Sequence, residues 1–271
     1  MIEFVCITVV VLAVLFVLYV LAVGGQSGQP GLAALRSHVY AHRGLHNEKR
    51  PENSRSAFAA AKERGYGVEL DVHLLKDGTL AVFHDHTLIR MTGKEGTIED
   101  LTATELSQYT LADSTDTIPT FREVLSLFDG AAPMIIELKA AGNHGALVDA
   151  VMSELKDYTG AYCIESFDPR CLWHLKKRYP DVIRGQLSQN FIGSKENLSG
   201  IVKYILTHLL ENFITRPDFV AYKFADRKAL SVTLARKVWR VQGVVWTLTD
   251  PDQHATALAE GYLPIFENYE P

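Results

Sequence analysis

The chain has 271 residues, 47% of them hydrophobic, three cysteines and a formal net charge of −5. That length allows one large domain or two small ones, and the apolar fraction supports a sizeable core. The mild acidity excludes a nucleic-acid binder that works through a basic face. Cys6, Cys163 and Cys171 are too few and too scattered for a disulfide framework.

Val5 to Val23 is an apolar run with no charge, Pro, Gly or amide. Roughly 19 residues at about 1.5 Å each match the hydrocarbon thickness of a bilayer. A cleaved signal peptide fits less well, because the leader carries Glu3 and no Lys or Arg, and the run exceeds a usual apolar signal core. Residues 1–24 are therefore read as a single transmembrane anchor in the cell membrane. The Gly- and Gln-rich stretch that follows reads as a flexible linker over 25–36. Arg36, Arg43, Lys49 and Arg50 all lie after the anchor, which favours the domain 37–271 on the cytoplasmic side.

His38 to Ala41 is strand-like. Glu52 to Arg64 has helical spacing, with Ala57, Phe58 and Ala61 on its inner face, Asn53 or Ser54 as cap and Gly65 as stop. Val68 to Leu75 alternates as a strand, so Glu69, Asp71 and His73 share one face. Lys76-Asp77-Gly78 is a turn signal, and Thr79 to Asp85 is strand-like again. A hairpin there sets Asp71 roughly opposite His84, and His42 ends the earlier strand. Two histidines and two acids thus converge.

Thr102 and Thr120 open short helices, the second with Glu123 in the capping-box position. Beyond them, strand-like runs at 133–139, 162–167, 183–187, 219–224, 244–248 and 263–267 alternate with helical ones at 146–158, 169–178, 230–239 and 251–260. Nine strand-like runs become eight once the hairpin's return arm is set aside. The alternation predicts a parallel sheet covered by helices, and eight is the number for a (β/α)8 TIM-type barrel. Between 187 and 216, Ile201, Ile205, Leu209 and Phe213 recur every four residues. That stripe reads as a helix covering the barrel, or as one lying near a bilayer or roofing a greasy substrate.

His42-Arg43-Gly44, Pro51-Glu52-Asn53-Ser54, Glu69-Leu70-Asp71, Lys76-Asp77-Gly78, His84-Asp85 and Glu137-Leu138-Lys139 resemble, in order, the motifs of the glycerophosphodiester phosphodiesterases. The likeness continues more loosely through Glu165-Ser166-Phe167-Asp168-Pro169 and Trp246-Thr247. It implies the same barrel fold and a phosphoric diester hydrolase that releases glycerol 3-phosphate and an alcohol.

On that reading Glu69, Asp71 and Glu137 hold one divalent cation, and an all-carboxylate set suits Mg2+ or Ca2+. His42 and His84 form the acid–base pair. Arg43 and Lys139 bind phosphate oxygens, while Glu52 orients the site and Trp246 lines the cleft. His46, His73, His86, His144 and His174 have no motif support and read as surface or supporting groups.

Two features depart from the family pattern. The last strand ends Ile265-Phe266-Glu267-Asn268, where the family has a run resembling Ile-Thr-Asp. Lys223 ends another strand and reads as a surface lysine. Two rivals stand beside the diesterase: the same barrel acting on lysophospholipids in the bilayer, and a catalytically silent membrane-tethered binding barrel.

Overall fold

A computed structural model describes residues 1–271. The chain opens with α1, Ile2–Ala22, none of whose residues is buried. Then come α2 (Leu32–Arg36), β1 (Tyr40–Ala41), α3 (Arg55–Glu63), β2 (Gly67–Leu74), β3 (Leu80–Val82), α4 (Ile89–Thr92), α5 (Ala103–Leu106) and α6 (Phe121–Phe128). The second part holds β4 (Met134–Leu138), α7 (His144–Leu155), β5 (Tyr162–Ser166), α8 (Pro169–Arg178), β6 (Arg184–Ser188), α9 (Gly200–Thr207) and α10 (Asn212–Thr215). It ends with β7 (Phe219–Lys223), α11 (Leu230–Lys237), β8 (Gln242–Leu248), α12 (Pro251–Ala259) and β9 (Leu263–Phe266).

Eight of the strands pair in parallel, in the order β1-β9-β8-β7-β6-β5-β4-β2, and the β1–β2 pairing closes the ring. The barrel expected from the alternation of elements is the barrel observed. β3 is the hairpin's return arm, antiparallel to β2 with Val72 opposite Val82. The Phe83 amide donates to the Asp71 carbonyl, so His84 follows immediately beyond the pairing.

Local chemistry explains the helix boundaries that position the site. At α3, Ser54 is the cap and accepts the Ala57 amide at 3.1 Å. Ala57, Phe58 and Ala61 are its buried face, and the Phe58 ring meets Phe128 of α6 edge-on at 6.3 Å between centroids. Gly65 follows at φ +69°, where a side chain would be strained. Thr102 and Thr120 both form complete capping boxes, with Glu105 and Glu123.

The core has two main layers. One lies between strands and helices. The other fills the barrel's N-terminal end, with Tyr40, Ile135, Cys163, Phe219 and Ile265 pointing inward. A Cβ at Gly185 would sit 2.0 Å from the Phe219 ring, so glycine there makes room for that aromatic.

Two expectations are corrected. Part of the stretch read as a flexible linker is folded: α2 buries Leu32 and Leu35 against the apolar end of the barrel, and the Tyr40 hydroxyl donates to the Leu35 carbonyl at 2.9 Å. Apolar side chains left exposed at an open barrel end cost free energy in water, so the stretch closes it. The stripe over 201–214 is two helices rather than one, broken where Leu209 takes φ +54°.

Candidate active site

Inward-facing residues at the C-terminal ends of the strands gather into one charged layer. Parallel register sets Asp71 beside Glu137 and Glu137 beside Glu165. Ligand-capable oxygens of Glu69, Asp71 and Glu137 lie within 4.8 Å of one another, and all three residues are buried. Burial, with Asp71, Glu137 and Glu165 adding repulsion, drives the Glu69 carboxyl well above its ordinary range. Burial likewise raises Glu137 to about 7, against the pull of Lys139. Asp71 goes the other way: burial would raise it, but Lys139, His84 and Arg43 hold it ionised.

Two cations serve this layer. Lys139 Nζ lies 3.0 Å from Asp71 Oδ1 and 2.8 Å from Glu137 Oε1. Arg43 Nε lies 3.6 Å from Asp71 Oδ2 and has no hydrogen-bond partner. Arg43 stands at φ +55° in the turn after β1, a conformation that costs a residue with a side chain about 1 kcal/mol or more. That turn brings the Arg43 amide to 3.1 Å from Glu69 Oε2, to which it donates.

The Pro-Glu-Asn-Ser stretch has three distinct tasks. Glu52 Oε1 accepts from Arg43 Nη1 at 2.8 Å and from Arg90 Nη2 at 2.6 Å. Asn53 Nδ2 donates to Asp71 Oδ2 at 2.7 Å. Ser54 starts α3 as described above.

Each histidine is backed by a carboxylate. His42 Nδ1 lies 2.7 Å from Glu267 Oε2, and His84 Nδ1 lies 2.6 Å from Asp85 Oδ1. With Nδ1–H donated to the acid, Nε2 of each ring is left to exchange a proton. His42 Nε2 points toward the carboxylate cluster, 3.9 Å from Glu69 Oε2. Burial lowers the pKa of His42, and it lowers that of His84 to about 4, with Lys139 and Arg43 acting in the same direction. The hydrogen bond from His42, with His46 nearby at 3.6 Å, holds Glu267 strongly ionised.

Beside the cluster is a cleft of about 570 Å³ lined by His73, His84, Glu137, Lys139 and Phe167, among others. Trp246 packs edge-on against Phe167, 5.6 Å between centroids, and Phe167 against Phe191 at 6.1 Å. This aromatic wall leads into a second, more apolar cavity of about 800 Å³ under α9, which shares Phe167 and Asp168 with the cleft.

All nine residues expected at the site lie in or beside this region. The expectation for Glu52 is sharpened: it contacts Arg43 and Arg90, not the carboxylate cluster. Lys223 is exposed, as read. Of the histidines without motif support, His46 reaches Glu267 at 3.6 Å, and His73 bonds Glu99 at 2.7 Å and approaches the His84 carbonyl.

Sequence reasoning missed four participants. Asn53 and Asp85 stood inside motifs already singled out. Glu267 was visible only as a departure at a strand end. Arg90, on α4, carried no signal at all.

The donor set fits a divalent cation. Three buried carboxylates face two partly engaged cations, and the neighbouring Glu165 keeps one buried oxygen without a partner. All donors are hard oxygens, which excludes a preference for thiolate- or imidazole-seeking metals.

Comparison with known proteins agrees with this geometry. A glycerophosphodiester phosphodiesterase of Caldanaerobacter subterraneus is 34% identical over 162 residues, 56% of this chain. The match spans 66% of that relative's length, just under two thirds. Among solved structures, an Oleispira antarctica phosphodiesterase in complex with its product sn-glycerol-3-phosphate superposes with a TM-score of 0.73, at 23% identity, over 90% of this chain and 96% of that one. The glycerophosphodiester phosphodiesterase of Thermotoga maritima does so with a TM-score of 0.66, at 27% identity, over 84% and 93%. Residues 42–269, from His42 to just beyond Glu267, match the profile of one family, and the chain belongs to it: the glycerophosphoryl diester phosphodiesterase family.

Proposed function

We propose that this chain hydrolyses glycerophosphodiesters to glycerol 3-phosphate and an alcohol, within lipid and glycerol metabolism. The observation that carries the reading is one layer holding a buried carboxylate triad and two carboxylate-backed histidines, in a barrel of this family. The complete set argues against a silent binding barrel.

A phosphodiester anion repels nucleophiles, and its leaving alkoxide needs a proton. Glu69, Asp71 and Glu137 would hold one Mg2+ or Ca2+. When bound, that ion supplies charge neutralisation and polarises a phosphoryl oxygen. Arg43 Nε, unpartnered beside Asp71, is free to donate to a non-bridging oxygen. Lys139 adds a second positive charge on the other side. His42 and His84 exchange protons through Nε2, one taking the nucleophile's proton and the other supplying the leaving oxygen. Glu267 and Asp85 keep the rings turned for this. Glu52 holds Arg43, and Trp246 with Phe167 walls the alcohol side of the cleft.

Residues 1–24 form the membrane anchor and 37–271 the catalytic domain, on the cytoplasmic side. The placement is supported by the length and unburied apolar surface of α1 and by Arg36, Arg43, Lys49 and Arg50 after it. A second reading, lysophospholipids as substrate, is favoured by the apolar cavity of about 800 Å³ that adjoins the cleft. It offers an acyl chain a place beside the phosphate site.

The test is release of glycerol 3-phosphate from glycerophosphocholine by the full chain in detergent, with chelator and then with Mg2+ or Ca2+ restored, beside His84→Ala. Ion-restored release that the variant lacks supports the proposal. No release with either ion overturns the glycerophosphodiester reading. Cleavage of lysophosphatidylcholine alone, to choline and lysophosphatidic acid, moves the assignment to the second one.

A further inference from the structure

α1 does not end in a loose tether. The Tyr19 ring meets His208 edge-on at 6.3 Å, and α1 packs against α10 and α11. Trp239 Nε1 donates to the Val20 carbonyl at 2.8 Å, and Asn212 Nδ2 to that of Val23 at 3.2 Å. Arg216 Nη1 donates to the Gly24 carbonyl at 3.2 Å, and the Gln26 amide donates to Pro217 at 2.8 Å.

These partners lie at different heights on the barrel. Ser231, in the first turn of α11 just beyond the C-terminal end of β7, donates to the Thr207 carbonyl at 3.5 Å. His208 follows Thr207, whose carbonyl accepts the hydroxyl of Tyr222 near the end of β7. Pro217 precedes the start of the same strand. From residue 19 to residue 26, then, the chain descends from the C-terminal rim of the barrel to the N-terminal rim. A helix continues in a straight line, so residues 2–18 project beyond the C-terminal rim, by about 25 Å. That rim carries the carboxylate layer and the cleft.

α9 lies next to this exit, and its outer face is apolar. Ile201 is 75% exposed and Tyr204 53% exposed. Tyr204 stacks on His208, 4.4 Å between centroids, which in turn touches Tyr19. The inner face of α9 roofs the apolar cavity through Val202, Ile205 and Leu206. Ile214 is also exposed, at 53%, but it sits on α10, just before Pro217 and hence toward the opposite rim.

We propose that the C-terminal face of the barrel rests on the lipid bilayer, with Ile201 and Tyr204 of α9 in the interfacial layer and the mouth of the cleft turned to the membrane. The proposal rests on α1 being a membrane anchor, as read above. Two features identify lipid as the occupant. The patch is continuous with the exit of a 21-residue apolar helix whose residues 2–18 are exposed. Its tyrosines, Tyr19 and Tyr204, are a residue type that concentrates at membrane–water interfaces. The cavity under α9 then lies between the bilayer and the catalytic layer, so a diester with an apolar tail reaches the site without crossing water.

The test uses the full chain in phosphatidylcholine/phosphatidylglycerol nanodiscs. A nitroxide label is placed in turn at Cys6, and, in a Cys6→Ser background, at Ile201→Cys, Tyr204→Cys and Ile214→Cys. Collisional accessibility to oxygen is compared with that to a water-soluble nickel chelate. Labels at 6, 201 and 204 should lose accessibility to the chelate and gain it to oxygen, while the label at 214 stays accessible to the chelate. A lipid-buried label at 6 with chelate-accessible labels at both 201 and 204 overturns the face assignment and leaves the anchor. A lipid-buried label at 214 also overturns it, in favour of a barrel lying on its side. A chelate-accessible label at 6 removes the anchor reading and this proposal with it.

Discussion

Along β4, Ile135 and Glu137 point into the same barrel two residues apart, yet into opposite chemistry. Ile135 joins Tyr40, Cys163, Phe219 and Ile265 in the apolar N-terminal layer, closed from outside by α2. Glu137 joins Glu69, Asp71 and Glu165 in the charged C-terminal layer. The same step recurs from Tyr40 to His42, from Cys163 to Glu165 and from Ile265 to Glu267. Strand alternation fixes which residues face inward, and position along the strand decides whether they hold the barrel together or act at its mouth. The two layers therefore respond differently to substitution.

The largest effect is expected in the upper layer. His42→Ala and Glu69→Ala should each lower turnover by orders of magnitude, about 10²- to 10⁴-fold for the histidine, while both variants stay folded. Unchanged turnover in a folded variant would remove that residue from the mechanism. Ile135→Ala breaks the comparison from below. It should cost about 2–5 kcal/mol of stability, read by denaturant unfolding, with turnover per folded molecule preserved. A turnover loss matching the histidine variants would show that the layers are not separable.

Glu267→Gln is a subtler probe. Its carboxylate touches His42 and His46, so replacing it should cost about tenfold or more in turnover, as loss of an orienting partner does. Kinetics that match the unaltered chain would make Glu267 a mere wall residue. Smallest is Ser54→Ala, which removes the α3 cap and about 1 kcal/mol of stability, leaving the Asn53–Asp71 contact in place.

Much of this arrangement is legible in the sequence. Alternation along β2 placed Glu69 and Asp71 on one face, the Asp77-Gly78 turn brought His84 back to them, and three helix caps were readable from Ser, Thr and Glu spacing. What was not legible depends on distant partners. Leu32 and Leu35 look like linker residues until there is an open barrel end for them to cover. Leu209 interrupts an unbroken apolar period because the chain must reach Pro217 and begin β7. Glu267 meets His42 only because β9 pairs with β1 to close the ring, a contact across 225 residues of sequence.

Thermal unfolding with and without Mg2+ or Ca2+ tests whether the upper layer is a cation site. Burial and mutual repulsion raise Glu69, and they raise Glu137 to about 7. For carboxyls raised in this way, the stabilisation is present at low pH and is lost as pH rises through the folded values. The ion-free protein at about pH 8 therefore carries the full repulsion, and a bound cation relieves it. The unfolding midpoint should rise with the ion at pH 8, rise less near pH 5.5, and not rise in Asp71→Asn if these carboxylates hold the ion. No rise with either ion, or an equal rise in Asp71→Asn, would contradict it.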